Sequence, residues 1–289
     1  MKSVIITGCS KGIGLETALA FGRAGYKVYA TMRKPAMADA FKQAINDEGL
    51  NIAVSAMDVD SDESVKSCIS AILQEVNSID VLVNNAGIER HGAIEELTME
   101  DFKAVMETNY FGVLRCIKTL LPTMRQNRSG CIINIASIAG KIANTPLGAY
   151  AASKFALEAV SEALAHEVKS FNVRVAIVEP GIINTEMARD ISVSDGSIYP
   201  QAKRFAGLFA ASLKSPTDAS IVADKILEIA ENGTWQLRHP VGPDALPFLN
   251  WRASMTDEEF VSWNALNDQD WYNAVETTFG LDARRQLVH

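Results

Sequence analysis

The sequence predicts an α/β fold: a single doubly wound parallel sheet with helices on both faces. Short β-branched runs alternate with longer segments of helical apolar spacing, the runs are apolar almost throughout, and the first ends in a glycine-rich turn that opens a helix. Parallel strands need crossover connections, and right-handed crossovers place helices over both faces, so each strand is buried on two sides. The runs fall at residues 4–7, 27–30, 52–54, 80–83, 131–135 and 173–178. Ligands of such a sheet bind beyond the carboxyl ends of its strands, where the strand order reverses. The residues just after each run are therefore the informative ones.

After the first strand comes Thr7-Gly8-Cys9-Ser10-Lys11-Gly12-Ile13-Gly14, which leads into the helical pattern of Leu15, Ala18, Leu19 and Phe21. Glycines let backbone approach a pyrophosphate at a helix N-terminus, where unpaired N–H groups and the helix dipole favour negative charge. Gly8, Ser10, Lys11, Gly12, Ile13 and Gly14 are thus candidate cofactor contacts. The same residues satisfy G-x-S-x-G, the nucleophile elbow of serine hydrolases, with Ser10 as nucleophile and His166, His239 or His289 to complete a triad. Position weighs against that reading, because the elbow takes an oxyanion N–H from an earlier strand and loop, and too little chain precedes Gly8.

The second strand ends in Thr31-Met32-Arg33-Lys34-Pro35, with no carboxylate to bind a ribose 2′-hydroxyl. Arg33 can fork its N–H groups onto a 2′-phosphate instead, which favours NADP(H) and leaves NAD(H) as the lesser option. After the third strand stands Met57-Asp58-Val59, and after the fourth Asn84-Asn85-Ala86-Gly87, a turn whose small residues let a ligand approach. Asn109 sits in the helical stretch Glu107-Thr108-Asn109-Tyr110, where an amide is a poor choice for stability. Either a site contact, a structural water or plain surface exposure accounts for it.

Beyond the fifth strand, Asn134-Ile135-Ala136-Ser137 ends in a serine able to donate to a substrate oxygen, or to cap a turn. The next helix opens with Tyr150-Ala151-Ala152-Ser153-Lys154, an i, i+4 pair that brings an ammonium to the side of a phenol. Lowering a tyrosine pKa from about 10 to about 7 needs roughly 4 kcal/mol of preference for the phenolate. A nearby ammonium beside an oxidised nicotinamide, in a partly dry site, supplies that order of energy. The sixth strand is followed by Pro180-Gly181 and then Thr185. Residues at about 186–216 are weakly periodic and read as a mobile substrate loop with short helices.

Composition sets limits on function. The 289 residues are 48% hydrophobic and 21% charged, ordinary for a globular chain, and the net charge of −8 argues against a nucleic-acid surface. The four cysteines form no CxxC pair and the chain has only four histidines, so no metal site is expected. The apolar run at 4–6 is soon interrupted by Gly8 and Lys11, so neither a secretory segment nor membrane insertion is expected and a cytoplasmic location is inferred.

Taken together, these motifs resemble the short-chain dehydrogenase/reductase family, over residues 2–231, and the 27–33 segment resembles its NADP-preferring 17β-hydroxysteroid and retinol dehydrogenase-like members. The resemblance implies a Rossmann-type fold, a homodimer or homotetramer through the helices at 102–124 and 150–171, and a role for each site residue. Asp58 would meet the adenine, with Asn85 and Ala86 on the adenosine side, Ile183 and Thr185 would hold the nicotinamide, and Val59, Gly87, Pro180 and Gly181 would be further cofactor contacts. Ser137 would steady the substrate oxygen and Tyr150 would act as general acid in reduction and base in oxidation. Lys154 would hold the nicotinamide ribose and lower the tyrosine pKa, and Asn109 would anchor a water of the proton relay.

Residues 1–233 are read as the dinucleotide-binding and catalytic domain, and residues 234–289 as a helical extension packed on it. All four tryptophans, Trp235, Trp251, Trp263 and Trp271, lie in that extension, either roofing an apolar pocket or packing against the body. The expected function is carbonyl and alcohol interconversion on an apolar, steroid- or retinoid-like small molecule. The alternative is a nucleotide-binding redox sensor without turnover, to which a tuned phenol would be of no use.

Overall fold

The computed structural model describes residues 1–191 and 196–284. Seven strands form one parallel sheet in the order β3-β2-β1-β4-β5-β6-β7: β1 (Ser3–Thr7), β2 (Lys27–Met32), β3 (Ile52–Ala56), β4 (Val81–Asn84), β5 (Gly130–Ile135), β6 (Val173–Pro180) and β7 (Arg238–Val241). The helices are α1 (Gly12–Arg23), α2 (Asp39–Glu48), α3 (Asp62–Val76), α4 (Met99–Met106), α5 (Gly112–Asn127), α6 (Gly148–Val168), α7 (Glu186–Ile191), α8 (Pro200–Ser212), α9 (Ala219–Asn232), α10 (Ala245–Ala253), α11 (Asp257–Asn264) and α12 (Asp268–Phe279). This is the Rossmann-type doubly wound fold that the sequence predicts.

The two-residue period of each strand divides its side chains between two cores. Val4, Ile6, Val81 and Val83 face a layer made by α1, α2 and α9, whereas Ile5 and Leu82 face Ile69, Leu120 and Leu157 of α3, α5 and α6. Helix starts are set by side chains. Ser61 accepts from the Ser64 N–H at 3.2 Å at the head of α3, and Thr98 and Asp101 form a reciprocal capping box at α4. By contrast, α1 opens at Lys11 with no side-chain cap, which leaves its first N–H groups facing the end of the sheet.

Two features differ from the sequence reading. The seventh strand lies beyond residue 233, so the segment assigned to an appended extension also completes the sheet, pairing β7 with β6 from Ile177↔Arg238 to Pro180↔Val241. The 186–216 segment, read as a mobile loop with short helices, contains two helices, α7 and α8, but α8 is well buried; residues 192–195 lie outside the described residues. A third core joins these helices to the extension, where Trp251 stacks edge-on against Phe260, Trp263 and Phe279, and Trp263 against Trp271. Trp235 stands apart, 47% exposed, beneath the Lys169 ammonium. Among the described residues no helix is long and apolar enough to cross a membrane.

Candidate active site

Strand order reverses between β1 and β4, and a cleft of about 530 Å³ opens at their carboxyl ends. The two strand ends are tied together. The Thr7 hydroxyl accepts from the N–H groups of Asn85 at 3.0 Å and Ala86 at 2.9 Å, and the Asn85 amide donates back to the Thr7 carbonyl at 2.8 Å and the Gly8 carbonyl at 3.1 Å. Gly8 has φ +73° and would place a Cβ 2.7 Å from Ala86 Cα, so only glycine fits there. A Cβ on Gly14 would lie 2.4 Å from both the Asn85 amide nitrogen and the Gly8 carbonyl. Gly14 therefore does not line the cleft, contrary to expectation; it lets α1 pack against the turn.

Ser10, Lys11, Gly12 and Ile13 line one wall. Lys11 forms an ion pair with Glu186 of α7, so its charge is already engaged across the cleft. No histidine is among the lining residues, which leaves Ser10 without a base for the hydrolase reading; His289 lies outside the described residues. Cys9 beside it is fully buried, and burial pushes its thiol far up, away from any nucleophilic role.

At the far end Arg33, Asp58, Val59 and Asp60 gather from the ends of β2 and β3. The exposed Arg33 has no hydrogen bond or ion pair to another described residue, although its charge acts on Asp60. Burial raises the Asp60 carboxyl, whose Oδ2 accepts from Thr108 at 3.1 Å while its Oδ1 is buried without a partner. The Asp58 carboxylate accepts from the Asp60 N–H at 3.1 Å.

Asn109 lies in a π-turn, Glu107–Phe111, that links α4 to α5, and it is fully buried rather than at the surface. Its amide clamps the chain after β4, accepting from the Ile88 N–H at 2.8 Å and donating to the Ile88 carbonyl at 2.9 Å and to Ser153 Oγ at 3.0 Å. Both side-chain N–H groups are thus engaged, Asn109 does not line the cleft, and a water would have to be held by other atoms than these donors.

Ser137, Tyr150 and Lys154 line the opposite wall together. The Ser137 hydroxyl accepts from the Ala139 N–H at 3.1 Å and lies 3.5 Å from the Pro180 carbonyl, and its presence tends to lower the pKa of the Tyr150 phenol. The i, i+4 spacing brings the Lys154 ammonium 5.4 Å from the Tyr150 ring centre, but it donates to the Ile135 carbonyl at 2.8 Å. Burial pushes the Tyr150 phenol up to about 12, offset in part by Ser137 and reinforced by the negative charge of Glu89. Desolvation takes Lys154 down to about 8, with Glu158 holding it up. In the protein alone burial sets the direction of the phenol's shift, which is upward; the lowering expected from sequence was for Lys154 acting together with an oxidised nicotinamide.

Pro180, Gly181, Ile183 and Thr185 close the cleft between these walls. Their position depends on the extension: the Asp244 carboxylate accepts from the Ile182 N–H at 2.8 Å and lies where a Gly181 Cβ would be, 2.2 Å away. Beyond the phenol the cleft becomes apolar, walled by Ile142, Leu147, Phe205, Leu208, Phe209 and Phe248. The extension thus both packs and roofs, since Phe248 reaches the cleft while Trp251, Trp263 and Trp271 stay behind it. Sequence reasoning missed Thr7, Asp60, Asp244 and Glu89 as contributors to this site. Glu89 was within reach of the strand-end rule, only two positions beyond Gly87.

The sequence model of the short chain dehydrogenase family matches residues 2–195. A 3-ketodihydrosphingosine reductase of Bacteroides thetaiotaomicron is 39% identical over 212 residues, covering 73% of this chain and 74% of the reductase. Human retinol dehydrogenase 8 is 42% identical over 189 residues, 64% of this chain; the match spans 60% of the dehydrogenase's own length. Among solved structures, a short-chain dehydrogenase from Streptomyces avermitilis superposes with a TM-score of 0.77 at 32% identity, covering 91% of this chain and 96% of that one. A metagenomic short-chain oxidoreductase in complex with NADP gives a TM-score of 0.67 at 25% identity, covering 83% and 96%.

Proposed function

Because this chain belongs to the short chain dehydrogenase family, we propose that it is an NADP(H)-dependent oxidoreductase that interconverts a carbonyl and an alcohol on an apolar small molecule. The observation that carries the reading is the convergence of Ser137, Tyr150 and Lys154 on one wall of a cleft whose other wall is the uncapped start of α1. The cleft suits a dinucleotide: open N–H groups for a pyrophosphate, a Gly8 where backbone passes closely, and an Arg33 without a partner among the described residues where a 2′-phosphate would lie. Arg33, and a neighbour's complex with NADP, support NADP(H) over NAD(H).

NADP(H), when bound, supplies or takes the hydride, and in its oxidised form adds a positive charge to the cleft. Tyr150 holds its proton throughout the neutral range, since burial keeps the phenol near 12, so it is poised to donate to a carbonyl oxygen as that oxygen gains negative charge. Ser137 donates to the same oxygen and fixes its place. Lys154, held to the end of β5 by the Ile135 carbonyl, keeps a positive charge beside the ring and favours the phenolate once the proton has left. The raised phenol supports reduction as the direction the protein itself favours. The names of the ketodihydrosphingosine reductase and the retinol dehydrogenase, and the aromatic wall of the cleft, support a bulky or long apolar substrate, steroid- or retinoid-like in character. A homodimer or homotetramer through α4, α5 and α6 belongs to the same proposal, supported by Phe111 and Phe155, which stay 45% and 43% exposed.

The test is an NADPH-oxidation screen across ketones, aldehydes, steroids and retinoids, repeated with Tyr150→Phe. Loss of the phenolic proton donor lowers turnover by about 10²–10⁴-fold while leaving NADPH affinity in place. Full activity in the phenylalanine variant would overturn the mechanism.

A further inference from the structure

Behind the wall that carries Tyr150 and Lys154 lies a group of buried charges that the chemistry above does not use. Glu158 stands one turn after Lys154 on α6, and helical side chains lean toward the N-terminus, so its carboxylate lies over the turn that carries the lysine. The side chain is only 4% exposed. Gly140 makes room for it, since a Cβ there would stand 2.9 Å from Glu158 Cγ. Oε2 accepts from Arg238 Nε of β7 at 2.9 Å and lies 3.6 Å from the Lys141 ammonium, while Oε1 is buried without a partner. Arg238 also reaches Glu162, further along α6.

Glu179 approaches the same place from the sheet. It shares a strand face with Ile177, which packs among Leu157 and Leu164 of α6 and pairs with Arg238 in the β6–β7 register. Burial first and Glu158 second hold the proton on its carboxyl, against the pull of Lys141 and Arg238. A buried carboxylate oxygen left unmet is costly, and a carboxylic acid that keeps its proton is a donor. Around Lys154 itself, α6 supplies Tyr150 and Glu158 and β5 supplies the Ile135 carbonyl, while Glu89, from the chain after β4, acts on the phenol. Burial draws Lys154 toward the neutral amine, and the charge of Glu158 opposes it.

We propose that Glu158 is a positioning residue: with Oε1 met by the proton of Glu179 and Oε2 by Arg238, its negative charge is fixed behind Lys154 and keeps the lysine an ammonium while the phenolate forms. The inference rests on the reading of Tyr150 and Lys154 given above. It also gives β7 a part in the site, because Arg238 holds the carboxylate in place.

The test reads the charge on Lys154 in the whole protein without any substrate. Lysines are labelled with carbon-13 at Cε, Lys154 is assigned by its absence from Lys154→Arg, and its signal is titrated by NMR. The midpoint, about 8 in the parent, should fall by about one pH unit in Glu158→Gln, the loss of one charge roughly a helical turn away. Glu158→Met, which leaves no polar atom to satisfy, should do the same, so whichever variant melts cooperatively decides; an unmoved midpoint overturns the proposal. Glu179→Gln keeps an N–H for Oε1 and should leave the midpoint in place, whereas Glu179→Leu should lower it. Equal midpoints in those two overturn the part given to the Glu179 proton. Turnover adds a second reading, because Glu158→Gln should move the alkaline fall of kcat to lower pH by the same interval with KM for NADPH little changed. A loss of kcat equal at every pH would make Glu158 merely structural and overturn the proposal. A shifted midpoint with no carbonyl compound turned over sinks the carbonyl reading and leaves the charge coupling standing.

Discussion

Replacing Asn109 by alanine removes the clamp on the chain after β4, and the structure sets the size of the effect. Three hydrogen bonds, of 2.8, 2.9 and 3.0 Å, are lost together. The Ile88 N–H and carbonyl are left unmet, and Ser153 Oγ loses its donor while still donating to the Tyr150 carbonyl at 2.7 Å. Each unmet buried group costs about 1–3 kcal/mol, and Ile88 is half-buried, so water recovers part of the loss. A net destabilisation of about 2–4 kcal/mol follows. With a denaturant slope of about 1–3 kcal/mol per molar, the urea midpoint falls by roughly 1 M or more. Asn109→Asp sharpens the test, because it keeps an acceptor for the Ile88 N–H but sets a carboxylate oxygen against the Ile88 carbonyl. Burial raises that acid above its unfolded value, so the variant's deficit is full at neutral pH and shrinks as pH falls and the acid takes a proton. A loss below about 0.5 kcal/mol in the alanine variant, the range of ordinary surface changes, would refute the clamp.

Two further outcomes concern charge. Arg33→Ala should weaken NADPH binding about tenfold or more while changing NADH by less than about twofold, read by fluorescence titration; equal weakening of both, or tighter NADH binding by the parent protein, would refute the assignment of Arg33. Glu179, 2% exposed in β6, has its carboxyl raised from 4.5 to about 7 by desolvation and by Glu158. Between those values the folded protein holds a proton that the unfolded chain has released, so stability falls as pH rises through this window and stays low above it. Glu179→Gln imitates the protonated acid, so its melting temperature should exceed that of the parent at pH about 8 and match it near pH 5. An equal gain at both would show that the carboxyl does not titrate as described.

Strand periodicity and strand-end residues made the sheet and the two walls of the cleft legible in the sequence, because both depend on local chemistry. β7 was not legible, since Arg238-His239-Pro240-Val241 lacks an apolar run and holds a proline that only an edge strand accepts. The burial of Asn109 and Glu89 depends on what packs over them, and a charge on a loop carries no mark of burial. The i, i+4 rule correctly brought Lys154 beside Tyr150, but a carbonyl from β5 decides where its ammonium rests. The pairing of Lys11 with Glu186 and of Asp244 with Ile182 joins distant parts of the chain that share no local pattern.

The lateness of β7 also bears on how the protein is made. While the chain emerges, β6 pairs with β5 on one side and has nothing on the other until α7, α8 and α9 have all been synthesised. At about 5–20 residues per second that bare edge persists for several seconds, and an apolar strand such as Ile177-Val178 with free N–H and carbonyl groups is a template for pairing between nascent chains. The four residues of β7 therefore act as a late cover for an edge at which growing copies of the protein could stick to one another.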